Sequence, residues 1–597
     1  MRLPAKNATA PVVALVVAMA GAFDAGGQTV KERDLSPSPG RIPPGNGATM
    51  RPASVPDTGA SGVKVIPLSR EAAPSAAVPA PGTSFHTDAG LRGAFWRGTP
   101  FSLLAEALPR LPVRVTSRIC HALTLEVLTK PAEPLGGPFM AARLAALRAE
   151  RLYAMGELEA ADAAFHAAAL PKGDPARAPA EIETKLLLHG PSVACAALAE
   201  HLAARRSSYL ERANVACLAM AGAHAKAALA LGLLRERGDA IGDTFGGLIM
   251  AQQPELARPF ETFRGADAWS VRLLAETRLP WPDDATRLGS PALLRAIALS
   301  ANDPVAVRLD AAERALLLGA LDRAALVALY GSVRVSHGAM KLAARLPLAD
   351  YTPVKRALLL QAALAAADRP SRMEILANWW RLARADHGET LAALVTAPMV
   401  NDILPADVWR ENAVAVSRVL FDAGELDRAL VWYGWLRRAT FKDMEGYMRL
   451  SAIAQLADTE GTRWTDADAE AWAGYQRGQA HGERRIALMR ALEEGLGAKG
   501  PHRGRDVYGK IARADESIGA GTYGADRRRA DWREVRSAAE AGREGEAILL
   551  MLTALGHDGV ARAEPHALGA AVGVLATLGR KAEARRLAVE AALANGF

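Results

Sequence analysis

The chain has 597 residues, more than the roughly 250 to 300 at which a single hydrophobic core stops growing. It must therefore split into domains or extend as a repeat array. The 72 basic and 65 acidic residues are spread along the whole length and give a net charge of +7. This even distribution argues against a nucleic-acid-binding protein, because such proteins gather Lys and Arg on one face.

The first 22 residues have the pattern of a secretory signal peptide. Arg2 and Lys6 give a positive start, residues 12–20 form a short apolar run, and small residues around Ala20 provide a cleavage site. The apolar run is shorter than the roughly 20 residues that span a bilayer, and charges interrupt every later apolar run. We therefore expect a periplasmic or secreted protein with no integral membrane span after the signal is removed.

Residues 23–93 are rich in Pro, Gly and Ser, as in the segments 36–40 and 43–47. A segment of this composition cannot bury enough apolar surface to offset the entropy lost on ordering. We predict that it is a disordered linker.

From residue 94 to 597, apolar residues recur at helical spacing and are interrupted by Gly, Pro or Asp. Alternating strand patterns are hard to find, so the sequence predicts an all-α fold. A hairpin of two short amphipathic helices cannot bury its apolar face alone, and such hairpins therefore stack into a curved solenoid. The Gly-rich segment 495–524 is predicted to be a long loop inserted in this array.

Two of the three cysteines are suited to a disulfide. Cys195 and Cys217 flank a polar break at residues 205–208, so in antiparallel helices both would lie at a similar height on facing surfaces. An exported protein can form this bond, and the alternative is that both are small buried hydrophobic residues. Cys120, in an apolar segment, is expected to lie in the core.

Two segments share a spacing that begins at a glycine. Gly156 is followed by Leu158, Ala161, Phe165 and Ala168, and Gly424 is followed by Leu426, Ala429, Tyr433 and Leu436. The spacing resembles the second half of a tetratricopeptide repeat, in which the glycine ends the first helix and the later positions form the inner face of the second. Weaker copies begin at Gly222, Gly319, Gly542 and Gly579. The resemblance implies a right-handed superhelical array of helix hairpins, although the Trp and Gly positions of the motif's first helix are mostly missing.

The sequence lacks the common catalytic and cofactor motifs. There is no GxxxxGK[ST] loop, HExxH, CxxC or GxSxG, and the GxGxxG match at Gly519, Gly521 and Gly524 does not follow a strand-like run. We expect no metal, no cofactor and no enzyme activity. The alternative is a cell-wall lytic enzyme or its regulatory arm, because the segment around Glu516 loosely resembles the Glu-Ser acid motif of lytic transglycosylases.

Seven of the 11 tryptophans lie between residues 379 and 472. Aromatic residues beside arginines are typical of binding hot spots, and they give the candidate partner-binding residues Trp379, Trp380, Trp409, Trp432, Tyr433, Trp435 and Arg437. The alternative is core packing, because Trp432 and Trp435 would share one helix face.

The combined prediction is an exported, non-enzymatic scaffold that presents a curved helical surface to another cell-envelope protein. Its process would be motility, secretion or cell-wall assembly. A third alternative is binding to a polyanion or a membrane surface through the basic segment 484–536.

Overall fold

Helices make up nearly all of the regular structure in the computed structural model, which describes residues 91–597 except 135–136, 169–170, 176, 278, 302, 439–443, 459–463, 498–522 and 557–558. The helices of the first half are α1 (Phe101–Ala107), α2 (Arg118–Thr129), α3 (Pro138–Met155), α4 (Leu158–Ala167), α5 (Ala178–His189), α6 (Pro191–Ala204), α7 (Ser208–Met220), α8 (His224–Glu236), α9 (Asp243–Met250), α10 (Ala268–Glu276), α11 (Ala285–Leu288), α12 (Pro291–Leu299), α13 (Val305–Leu317), α14 (Arg323–Gly331) and α15 (His337–Lys341).

The helices of the second half are α16 (Pro353–Ala365), α17 (Arg369–Ala385), α18 (Glu389–Thr396), α19 (Ala413–Ala423), α20 (Leu426–Leu436), α21 (Met444–Ala457), α22 (Asp466–Arg477), α23 (Gly482–Gly495), α24 (Tyr523–Glu540), α25 (Glu544–Leu555), α26 (Gly559–Arg562), α27 (Pro565–Thr577) and α28 (Lys581–Ala594). Two strands of two residues each, β1 (Leu91–Arg92) and β2 (Glu133–Pro134), pair antiparallel. The all-α prediction is confirmed.

The six glycines of the repeat-like spacing all lie in turns between consecutive helices and have a positive φ angle. At the end of α3, Gly156 has φ 85°, its N–H donates to the carbonyl of Tyr153, and the N–H of Glu157 donates to the carbonyl of Leu152. This left-handed cap satisfies carbonyls at the helix end and reverses the chain, and glycine adopts it without the steric cost of a Cβ. The predicted hairpin turns are confirmed, and membership of the tetratricopeptide family stays a prediction.

A disulfide joins Cys195 of α6 to Cys217 of α7, with their Cα atoms 5.9 Å apart. The two helices are consecutive and pack against each other across the turn at residues 205–207. The predicted bond is therefore confirmed. Cys120 is free and buried, as expected.

Some hairpins also contact hairpins that are distant in sequence. Helix α3 packs against α12, and Arg295 of α12 donates a 2.8 Å hydrogen bond to the carbonyl of Gly156. A Cβ added to Gly156 would come within 2.6 Å of the Cβ of Ala320. In a simple solenoid each hairpin contacts only its neighbours in sequence, whereas here distant hairpins are also in contact. The right-handed superhelix stays a prediction.

The first helices contact the last ones. Helix α2 packs against both α25 and α28, and the N–H of Gly545 in α25 donates a 2.8 Å hydrogen bond to the carbonyl of Phe95. A Cβ on Gly545 would lie only 2.7 Å from that carbonyl oxygen, so this close approach requires glycine. We call the contact of α2 with α25 and α28 the junction.

Several predicted segments lie outside the described residues. These are the signal peptide at 1–22, the linker at 23–93 apart from its last three residues, and most of the Gly-rich segment 495–524, including Glu516. Within the part of the chain that is described, no helix is both long enough and apolar enough to cross a membrane.

Candidate functional site

A cavity of about 770 Å³ lies beside the junction. Its walls come from segments far apart in sequence: the start of α2, the connection between α17 and α18, helices α19 and α21, and the end of α28. We call it the junction cavity. Its charged lining residues are four arginines, four carboxylates and one histidine: Arg118, Arg384, Arg418, Arg449, Asp422, Glu389, Glu445, Glu590 and His387.

Arg118 holds three helices together at one wall of the junction cavity. It is the first residue of α2, and its guanidinium donates hydrogen bonds of 2.8 and 2.7 Å to the last carbonyls of α19, those of Asp422 and Ala423. It also pairs with Glu590 of α28 at 3.3 Å. Because helix C-termini carry partial negative charge, Arg118 is satisfied by the protein itself and acts structurally.

Two further arginines of the cavity are also paired with carboxylates. Arg418 pairs with Asp422 one turn later at 3.2 Å and also donates to the backbone carbonyl of Phe597. Arg449 pairs with Glu445 at 2.8 Å. These contacts neutralise most of the charge in the lining, with three arginines matched to three carboxylates.

The wall formed by the end of α17 and the start of α18 differs from the rest of the lining, because its polar side chains have no partners among the residues that the structure describes. Arg384 lies in the last turn of α17, and Glu389 and Thr390 begin α18, with His387 between them. None of these four side chains makes a hydrogen bond or ion pair with another residue in the described part of the chain. This wall therefore presents to the cavity a guanidinium, a carboxylate, an imidazole and a hydroxyl that no described protein group occupies, and Arg384, His387 and Thr390 are exposed to solvent.

Four of the seven predicted partner-binding residues are buried, namely Trp379, Trp380, Trp432 and Tyr433. The indole N–H of Trp379 donates to the hydroxyl of Tyr351 at 3.0 Å, and that of Trp380 donates to Thr396 at 2.9 Å. These four side chains pack in the core. Trp409 and Trp435 are partly exposed and Arg437 is exposed, so a contact with a partner would have to use these three.

A second polar cluster lies between α3, α5, α7 and the start of α10. Tyr153 and Tyr209 both donate hydrogen bonds to the buried carboxylate of Glu183, while Arg212 and Asp267 pair beside it at 2.6 Å. Burial, together with the charge of Asp267, raises the pKa of Glu183 to about 7. Perturbed carboxylates often mark active sites, but none of these side chains lines the junction cavity, so we assign the cluster to packing between hairpins.

The junction cavity was not predicted from the sequence. Its walls combine residues 116–118 with residues 384–391 and 590–597, and no local pattern links such distant segments. Only the His387-Gly388 pair, which follows the end of α17, marks one wall locally. Among the described residues, no group of three or more His, Cys, Asp or Glu side chains is arranged to hold a metal ion.

Comparison with known proteins identified no relative of this chain. No family model, curated protein or solved structure matches the chain.

Proposed function

We propose that this protein is an exported, non-enzymatic scaffold that binds another cell-envelope protein through its helical surface. In this proposal the hairpins form the right-handed array expected from the repeat-like spacing, and the protein acts in the periplasm or outside the cell. The Cys195–Cys217 disulfide supports export, because such bonds persist in oxidising compartments.

The observation that carries the proposal is a set of exposed apolar side chains in two segments of the tryptophan-rich region. Leu404 and Val408 in the loop before α19 are 77% and 70% exposed, and Val431 of α20 is 58% exposed. The partly exposed Trp409 and Trp435 belong to the same two segments. We call these five residues the α20 surface.

A side-chain contact fixes the loop against the helix. Arg428 of α20 donates hydrogen bonds to the carbonyl of Val400 at 3.0 Å and to the side chain of Asn401. Val431 and Trp435 follow Arg428 at three and seven positions, so all three lie on one helix face. Exposed apolar side chains beside tryptophan and arginine are typical of protein interfaces, and this supports a protein as the partner.

The proposal is tested by crosslinking the mature protein in its native envelope fraction and mapping the crosslinked peptides by mass spectrometry. We expect crosslinks between residues 379 and 475 and one envelope protein, lost in a Val408→Asp/Val431→Asp variant. Leu229→Asp is the matched control, because Leu229 is 67% exposed on the distant helix α8. Crosslinks that persist in the double variant would contradict the proposal.

An assay for peptidoglycan digestion separates the scaffold from the enzyme alternative. A scaffold should release no muropeptides, either as the wild type or as Glu516→Gln. Digestion by the wild type that the Glu516→Gln substitution abolishes would overturn the proposal in favour of a cell-wall lytic enzyme.

A further inference from the structure

One wall of the junction cavity carries a basic and an acidic side chain that form no ion pair within the described part of the chain. Three of its arginines are paired with three of its carboxylates. Arg384 and Glu389 have no ionic partner among the described residues. Arg384 lies in the last turn of α17, and Glu389 is the first residue of α18. A ligand that satisfies both must carry an anion and a cation at once.

We propose that the junction cavity binds a short peptide with both termini free. The guanidinium of Arg384 would receive the α-carboxylate, because a planar fork of donors matches the two oxygens of a carboxylate. The carboxylate of Glu389 would receive the α-ammonium group. The hydroxyl of Thr390 and the imidazole of His387 supply further hydrogen-bonding groups for the peptide units between the two termini.

The size and the remaining lining of the cavity fit this ligand. A volume of about 770 Å³ lies within the range of roughly 300 to 1,000 Å³ that small-molecule sites occupy. Apolar side chains also line the cavity and can contact the side chains of the peptide: Leu317, Leu391, Val414, Leu450 and Leu593. A single free amino acid would leave most of this space empty.

The backbone at His387 supports a role for this wall. His387 has φ 56°, a left-handed conformation that costs a non-glycine residue roughly 1 to 2 kcal/mol. The N–H of Gly388 donates to the carbonyl of Ala383 at 2.8 Å, so His387 takes the position at which helices usually place glycine. A His387→Gly variant should therefore fold at least as well as the wild type while it lacks the imidazole at the cavity.

The test is titration calorimetry of the full mature chain with trialanine, trialanine amide, N-acetyl-trialanine and free alanine. We expect saturable binding of trialanine and at least about tenfold weaker binding of the other three, which corresponds to about 1.4 kcal/mol. Arg384→Gln should remove the preference for trialanine over its amide. Glu389→Gln should remove the preference for trialanine over its acetylated form, and His387→Gly should weaken trialanine binding without a loss of stability.

Two matched controls come from α17. Arg381→Gln and Glu374→Gln remove the same charges from exposed positions on that helix that do not line the cavity, and they should leave binding unchanged. No binding of trialanine at about 1 mM, or equal binding of the blocked peptides or of alanine, would overturn the proposal. This inference goes beyond the scaffold function, and its failure would leave the crosslinking result at the α20 surface unaffected.

Discussion

The guanidinium of Arg580 donates two hydrogen bonds of 2.7 Å to the carboxylate oxygens of Glu126, which lies 454 positions earlier in the chain. It also pairs with Glu544 at 2.7 Å. Arg580 precedes α28, Glu126 lies in α2, and Glu544 begins α25, so one side chain connects the three helices of the junction. Both members of the Arg580–Glu126 pair are largely shielded from solvent.

Removal of the Arg580–Glu126 pair should weaken the junction. We expect Glu126→Gln or Arg580→Gln to lower the free energy of unfolding by about 1 to 3 kcal/mol, because hydrogen bonds to charged groups have this magnitude. Urea denaturation measures the loss, and a double-mutant cycle isolates the pair. Arg110→Gln, which breaks the exposed pair with Glu106, is the control and should cost under about 1 kcal/mol. Equal losses at both sites would contradict the prediction.

The buried Glu183 should make stability depend on pH. Its pKa is raised from 4.5 to about 7 in the folded protein, chiefly by burial. Between pH 4.5 and 7 the folded state therefore binds more protons at this carboxyl than the unfolded state does. Stability contributed by the neutral acid is therefore complete below about pH 4.5 and is lost as the pH rises through 7. The total loss is on the order of 3 kcal/mol.

Comparison with Glu183→Gln isolates this effect from other titrating groups. Urea unfolding at a series of pH values from 5 to 8 should show the wild type losing stability relative to the variant as the pH rises. Glu374→Gln, at an exposed position, should track the wild type. A constant difference between the wild type and Glu183→Gln would show that Glu183 titrates normally.

Reduction of the Cys195–Cys217 bond should destabilise the protein. The bond joins residues 22 positions apart, and the chain-entropy model gives a stabilisation of roughly 3 kcal/mol for a loop of this size. Thermal unfolding of the wild type with and without reductant measures the effect. A Cys195→Ser/Cys217→Ser variant should match the reduced wild type and be insensitive to reductant, and any further shift with reductant in that variant would contradict the assignment.

Cys120 should resist thiol reagents in the native state. Burial raises the pKa of its thiol to about 12, so at pH 8 the reactive thiolate is about 10³-fold rarer than for an ordinary cysteine. Titration with a chromogenic disulfide reagent should detect no rapid thiol in the native, oxidised protein and one in urea. A rapid reaction in the native protein would show that Cys120 is accessible.

The sequence predicted those parts of the fold that depend on local chemistry. Glycines with a small residue five positions later mark hairpin turns because the left-handed cap and the close packing are set within about a dozen residues, as at Gly156 and Gly424. The Cys195–Cys217 bond was predicted from another local feature, the similar spacing of the two cysteines from the polar break at residues 205–208. Burial of Trp379 and Trp432 agrees with the core-packing alternative rather than with a binding role for those two residues.

The junction and its cavity could not be predicted from local sequence patterns. The pairing of Arg118 with Glu590 joins residues 472 positions apart, and which hairpin meets which is decided by the summed geometry of all the hairpins between them. The sequence also does not show that Arg384 and Glu389 lack ionic partners among the residues described. This can be seen only in the folded structure, where the other arginines of the cavity pair with its other carboxylates.

The junction also restricts how the length of this protein can change during evolution. In an open array, a hairpin can be duplicated or deleted and the surface simply becomes longer or shorter. Here an added or missing hairpin between α2 and α28 would carry Arg580 away from Glu126, and Gly545 away from Phe95. Homologous chains should therefore differ in loop length but keep the same number of hairpins.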